Sequence, residues 1–79
     1  MAYYFYDIDL GNNYTLWKDI VEEGEPLGVE LLEDFRGENK IAMYSNNTSN
    51  LEKLQEWVVL KVVPGTIVFS QIRLVRQDL

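Results

Sequence analysis

The sequence predicts an α+β domain of the ferredoxin-like split βαβ type, a four-stranded antiparallel sheet with two helices on one face. Three observations carry that expectation. Four runs alternate apolar and polar residues, two segments gather their apolar residues on one side at the helical period, and Gly, Pro and Asn breakers separate them in the order strand, helix, strand, strand, helix, strand. The 79 residues are too few for two cores, so residues 1–79 are expected to form a single α+β domain.

Ala2 to Leu10 reads as the first strand, with Tyr4, Tyr6, Ile8 and Leu10 on one face and Tyr3, Phe5, Asp7 and Asp9 on the other. Gly11-Asn12-Asn13 breaks it, and either asparagine is suited to cap a following helix. From Tyr14 to Glu23, Leu16, Trp17, Ile20 and Val21 fill one arc, and Thr15, Lys18, Asp19, Glu22 and Glu23 fill the opposite one. That is a short helix ending at Gly24. Its Tyr-Thr-Leu-Trp start would also suit a strand returning on the first across the Asn-Asn turn, and the helical period decides against it.

Pro26 is expected to bar continuation of the helix. Leu27 to Phe35 then alternates as a second strand, Leu27, Val29, Leu31 and Phe35 against Gly28, Glu30, Leu32 and Asp34, with Glu33 on the apolar side. Arg36-Gly37-Glu38-Asn39 is the hairpin loop, and Lys40 to Tyr44 is the return strand, Ile41 and Met43 against Ala42 and Tyr44.

Ser45 to Asn50 is a polar loop leading into a second helix, which Ser49 and Glu52 would open as an S-x-x-E capping box. Asn46 and Asn47 each begin a glycosylation sequon, but cap and loop roles fit them better. Leu51, Leu54, Val58 and Val62 share one face of this helix, and Glu52, Lys53 and Glu56 lie opposite. Pro64-Gly65 must stop it by Val63. Leu60, in the middle of the charged face, requires either an earlier helix end, with Val58 to Val63 as a strand, or a covering surface. Thr66 to Val75 is the last strand, apolar on both faces in its first half.

Composition closes several kinds of chemistry. With no cysteine and no histidine there is no disulfide framework, no thiolate and none of the commonest general base or zinc ligand. The longest apolar run, Trp57 to Leu60, is far below the roughly 20 residues that span a bilayer. The Met-Ala-Tyr-Tyr start carries no basic region or small-residue cleavage site, so a cytoplasmic location is expected. Asp7 and Asp9 would point to one side of a strand and could share a hard cation, yet no further ligand accompanies them. No metal, cofactor or catalytic residue is therefore assigned.

The net charge of −6 is unevenly distributed. Asp19, Glu22, Glu23, Glu25, Glu30, Glu33, Asp34 and Glu38 fall in one stretch with Arg36 as its lone cation, a local balance of −7. Aromatics on a central strand invite comparison with RNA-recognition modules. The third strand lacks their basic, glycine-rich pattern, and a chain of this charge repels phosphates, so direct nucleic-acid binding is not expected. The expected function is instead a small acidic, non-enzymatic binding protein. It would dock on a basic, nucleic-acid-binding surface of a protein partner, in effect a nucleic-acid mimic of the kind phage-type inhibitors and immunity proteins provide. The eight carboxylates would steer the encounter, with Tyr3, Phe5 and Phe69 as aromatic anchors. The alternative is a structural or accessory subunit that self-associates, as a homodimer, through an aromatic sheet face.

Overall fold

A computed structural model describes residues 1–75. Its elements are β1 (Tyr4–Asp9), α1 (Trp17–Gly24), β2 (Glu30–Phe35), β3 (Lys40–Ser45), α2 (Thr48–Leu60) and two short strands, β4 (Val68–Phe69) and β5 (Arg73–Leu74). The strands form one antiparallel sheet in the order β2-β3-β1-β4, and β5 also pairs β1, beyond β4 along the same side. The predicted α+β split βαβ arrangement is therefore the one observed.

Burial follows the alternation of β1. Tyr6, Ile8 and Leu10 are fully buried and share a core with Ile20 of α1, Ile41 and Met43 of β3, and Leu51, Leu54 and Val58 of α2. Both helices thus lie on the same face of the sheet. Each large side chain so removed from water contributes roughly 1.5 to 3 kcal/mol of transfer free energy, which makes this layer the main source of stability. The Tyr6 hydroxyl donates to the Leu51 carbonyl across 2.6 Å, so the one phenol in the core is satisfied and ties β1 to the first turn of α2.

Helix boundaries depart from the expected ones where local chemistry had alternatives. A 3₁₀ segment, Gly11–Leu16, precedes α1, and neither Asn12 nor Asn13 caps it; the Asn13 amide instead donates to Thr66. Gly24 is the last residue of α1, as expected, but in right-handed geometry, and what requires glycine there is close approach: a Cβ would sit 2.6 Å from the Val29 carbonyl oxygen. Pro26 occupies the start of a further 3₁₀ turn, Glu25–Leu27, where its missing N–H has no partner to lose, and Gly28 at φ 70° makes the reversal into β2.

The capping box is also displaced. Asn47, in extended geometry, is the N-cap of α2, and its side chain accepts from the amides of Ser49 and Asn50. Ser49 therefore lies within the first turn. The helix ends at Leu60, which is 83% exposed, so neither a covering surface nor a strand over Val58 to Val63 accounts for it.

Two bulges reset the phase of the outer strands. In β2 the pairing passes from Leu31↔Met43 to Glu33↔Ala42, leaving Leu32 as the extra residue. Beyond that point the faces exchange: Glu33 and Phe35 turn to the side without helices, and Asp34 turns inward. The last strand is likewise not continuous over Thr66 to Val75. Phe69 opposes Ile8 and Arg73 opposes Phe5, one residue out of step. Between them the Ser70 hydroxyl takes the Asp7 amide at 2.8 Å, and the Ser70 amide donates to the Asp7 carbonyl at 2.9 Å.

Candidate functional site

The side of the sheet opposite the helices is open, and its composition follows from registers already described. Tyr3, Phe5, Asp7 and Asp9 project there from the β1 segment. Ala42 stands opposite Asp7, Tyr44 opposite Phe5, and Lys40 opposite Asp9, with Glu30, Glu33 and Phe35 beyond them on β2 and Arg73 on β5. Phe5 and Tyr44 are direct cross-strand neighbours, and the Tyr3 and Tyr44 rings lie 5.8 Å apart, tilted. One end of the face is therefore aromatic. Asp7 lies at its middle, and Asp9, Glu30 and Glu33 complete a set of four carboxylates interspersed with Lys40 and Arg73.

Those rings do not lie bare. The Arg73 guanidinium carbon is 4.7 Å from the Phe5 ring centroid while its Nη2 is 3.0 Å from Asp7 Oδ2. On the other side of the face, Lys40 Nζ is 5.1 Å from the Phe35 centroid and 3.4 Å from Glu38 Oε1. Cation stems spread over aromatic rings in this way cover apolar surface while keeping the charge in water. Asp9 has a separate task, accepting the Gly11 amide at 3.2 Å where β1 turns into the 3₁₀ segment. Asp7 and Asp9 are thus engaged with Arg73 and with a turn, respectively. Among the described residues no group of three or more Asp and Glu is placed to hold a metal ion, and no helix is long and apolar enough to cross a membrane.

The eight carboxylates expected to act together are divided by the sheet. Asp19, Glu22 and Glu23 are exposed on α1, on the helix side, and Glu25 on the turn that follows it. Glu30 and Glu33 are exposed on the open face. Glu38 lies in the β2–β3 connection beside Lys40. Asp34 is withdrawn to the inner side by the Leu32 bulge, where it accepts the Tyr14 hydroxyl at 2.6 Å. That bond to a carboxylate holds the Tyr14 phenol above its ordinary range, because it favours the protonated form. Asp34 therefore lies on the opposite side of the sheet from Glu30 and Glu33, engaged with Tyr14.

One anchor also moves. Phe69, grouped with Tyr3 and Phe5 by sequence, stands opposite Ile8 on the inner face and meets the buried Tyr6 edge-on, ring centroids 5.5 Å apart. The bulge after Ser70 is the reason that Phe69 and Arg73, an even number of residues apart, point to opposite sides. Tyr3 and Phe5 do lie on the open face as expected. Phe35 belongs to it only through the bulge in β2, whereas Tyr44 and Arg73 could have been found from the alternation of their strands.

Taken together, the fold and this face define a small split βαβ domain whose open sheet surface pairs aromatic residues with carboxylates. Comparisons with protein-family models, with curated proteins and with solved structures gave no match for this chain.

Proposed function

We propose that this chain is a non-enzymatic binding protein that docks its open sheet face on a basic surface of a protein partner. One observation supports the reading above the others: Tyr3, Phe5 and Tyr44 form an aromatic cluster on the same face as Asp7, Asp9, Glu30 and Glu33, with Phe35 on the same side at the far end. Aromatic residues at the middle of a contact supply most of its free energy, and charges at the rim set the encounter rate and the choice of partner. A face with an excess of carboxylates selects a basic partner. Surfaces that bind nucleic acid are the most consistently basic ones a protein presents, so the partner class is a nucleic-acid-binding protein whose site would be covered, as phage-type inhibitors and immunity proteins do by analogy of size and charge.

Self-association through the same face is the second reading, which the excess of four carboxylates over Lys40 and Arg73 on that face makes the less favourable one. The test is a photo-reactive phenylalanine in place of Tyr3, irradiated in an extract of the native host. The expected product is a covalent adduct with a basic region of another protein that Phe5→Glu abolishes. An adduct with a second copy would establish the self-association reading. A folded protein giving no Phe5-dependent adduct would refute docking through this face.

A further inference from the structure

We infer that Phe5 and Asp7 form a receiving site for an arginine side chain of the partner, and that Arg73 fills this site in the free chain and leaves it on binding. The inference rests on the open face being the docking surface and adds the chemistry of one anchor. The Arg73 guanidinium has an aromatic ring 4.7 Å beneath its carbon and a carboxylate oxygen 3.0 Å from one nitrogen. Those two features favour a guanidinium over an ammonium, because a flat delocalised cation stacks on a ring while its fork of donors meets a carboxylate edge. The intramolecular arginine therefore displays the ligand that the site accepts.

Receiver and occupant differ in how firmly they are held. Phe5 and Asp7 are on β1, paired along its length to β3 on one side and to β4 and β5 on the other. The Asp7 amide and carbonyl are both bonded to Ser70, which fixes the backbone that carries the carboxylate. Arg73 belongs to a two-residue strand beyond a bulge, and its side chain is 51% exposed. Exposed ion pairs and cation–π contacts of this kind correspond to a preference of about five-fold or less. Such a contact covers the ring in the absence of a partner and yields to an arginine that brings further contacts with it. Lys40, over Phe35 and beside Glu38, repeats the ring, cation and carboxylate arrangement on the far side of the face.

The experiment measures a fluorescent decapeptide of alternating glycine and arginine, and its lysine counterpart, by anisotropy at low and moderate salt. Arg73→Gln vacates the site. Arg36→Gln removes the same charge from the β2–β3 connection, where Arg36 faces Asp34 and not Phe5, and so controls for net charge. Arg73→Gln should bind the arginine peptide about three- to five-fold more tightly than Arg36→Gln does, the range set by the weakness of the displaced contact. The gain should be smaller for the lysine peptide and absent when Asp7→Asn is added. Equal affinities for the two glutamine variants, or weaker binding by Arg73→Gln, would overturn the inference. Arg73→Lys, which keeps the ion pair and loses the planar stack, provides a second variant should Arg73→Gln fail to fold. It should fall between wild type and the vacated site, and an affinity no greater than that of wild type would count against displacement. Absence of any Phe5-dependent adduct in the cross-linking experiment would refute the docking face itself; a flat response of the Arg73 variants with that adduct present would refute only the arginine exchange.

Discussion

Tyr6→Phe tests how β1 is joined to α2, and its effect can be worked out with sign and pH dependence. The substitution leaves the ring in a fully buried site and removes only the hydroxyl that donates to Leu51 across 2.6 Å. No large cavity forms. The loss is then the net worth of one buried hydrogen bond, about 1 kcal/mol at pH 7. In a domain of this size that lowers Tm by roughly 4 to 8 °C. Burial also raises the Tyr6 phenol well above its ordinary range, because the phenolate would lose its hydration inside the core. In the unfolded chain the same group titrates near pH 10. Below that pH both states keep the proton and the contribution of Tyr6 is complete. Above it the unfolded chain releases a proton that the folded chain retains, so wild-type stability falls by up to about 1.4 kcal/mol per pH unit from this residue alone. Phenylalanine has no such term, and every other tyrosine titrates alike in the two proteins. The deficit of the variant should therefore close between about pH 10.5 and 11 and reverse above that. Urea unfolding followed by tryptophan fluorescence at pH 7, 10 and 11 measures both parts. Equal stabilities at pH 7, or parallel pH profiles from pH 9.5 to 11, would refute the argument.

Four further outcomes are expected. Asn47→Ala should cost about 1 kcal/mol in chemical denaturation, and Ser49→Ala only a few tenths, because Asn47 is the residue whose side chain satisfies the first amides of α2. Gly24→Val should destabilise by about 2 kcal/mol or more, since its Cβ would meet a backbone oxygen at 2.6 Å, and the same assay would show it; a stability equal to wild type would contradict the close approach. Phe69→Glu should unfold the domain by circular dichroism while Phe5→Glu leaves it folded, and the opposite result would reverse the assignment of faces. Charge reversal at Glu30 and Glu33 should slow association with the cross-linked partner by about ten-fold in stopped-flow measurements at low salt, with little effect on dissociation, whereas reversal at Asp19 and Glu22 on the helix side should change neither rate appreciably.

The sequence by itself determined the order of the elements and most of the core. Alternation in β1 separates Tyr6, Ile8 and Leu10 from Phe5, Asp7 and Asp9 and the helical period groups Ile20, Leu51, Leu54 and Val58, while the structure settled that the first set is the one facing those helices. Those patterns are legible because a whole face must be buried, and a period is repeated over several residues. The tertiary structure decided which side the residues after each bulge occupy. Leu32 is one extra residue in β2, marked in the sequence only by Glu33 falling on the otherwise apolar side; its insertion carries Phe35 to the open face and Asp34 to Tyr14. The step after Ser70 does the same for Phe69 and Arg73. Side chains alternate with a period of two, so a single inserted residue exchanges every later position between core and surface. The choice between Asn47 and Ser49 as cap depended on where β3 releases the chain, and the separation of eight sequence-adjacent carboxylates depended on a sheet passing between them. Both are settled by contacts between residues distant in sequence, which a linear pattern does not contain.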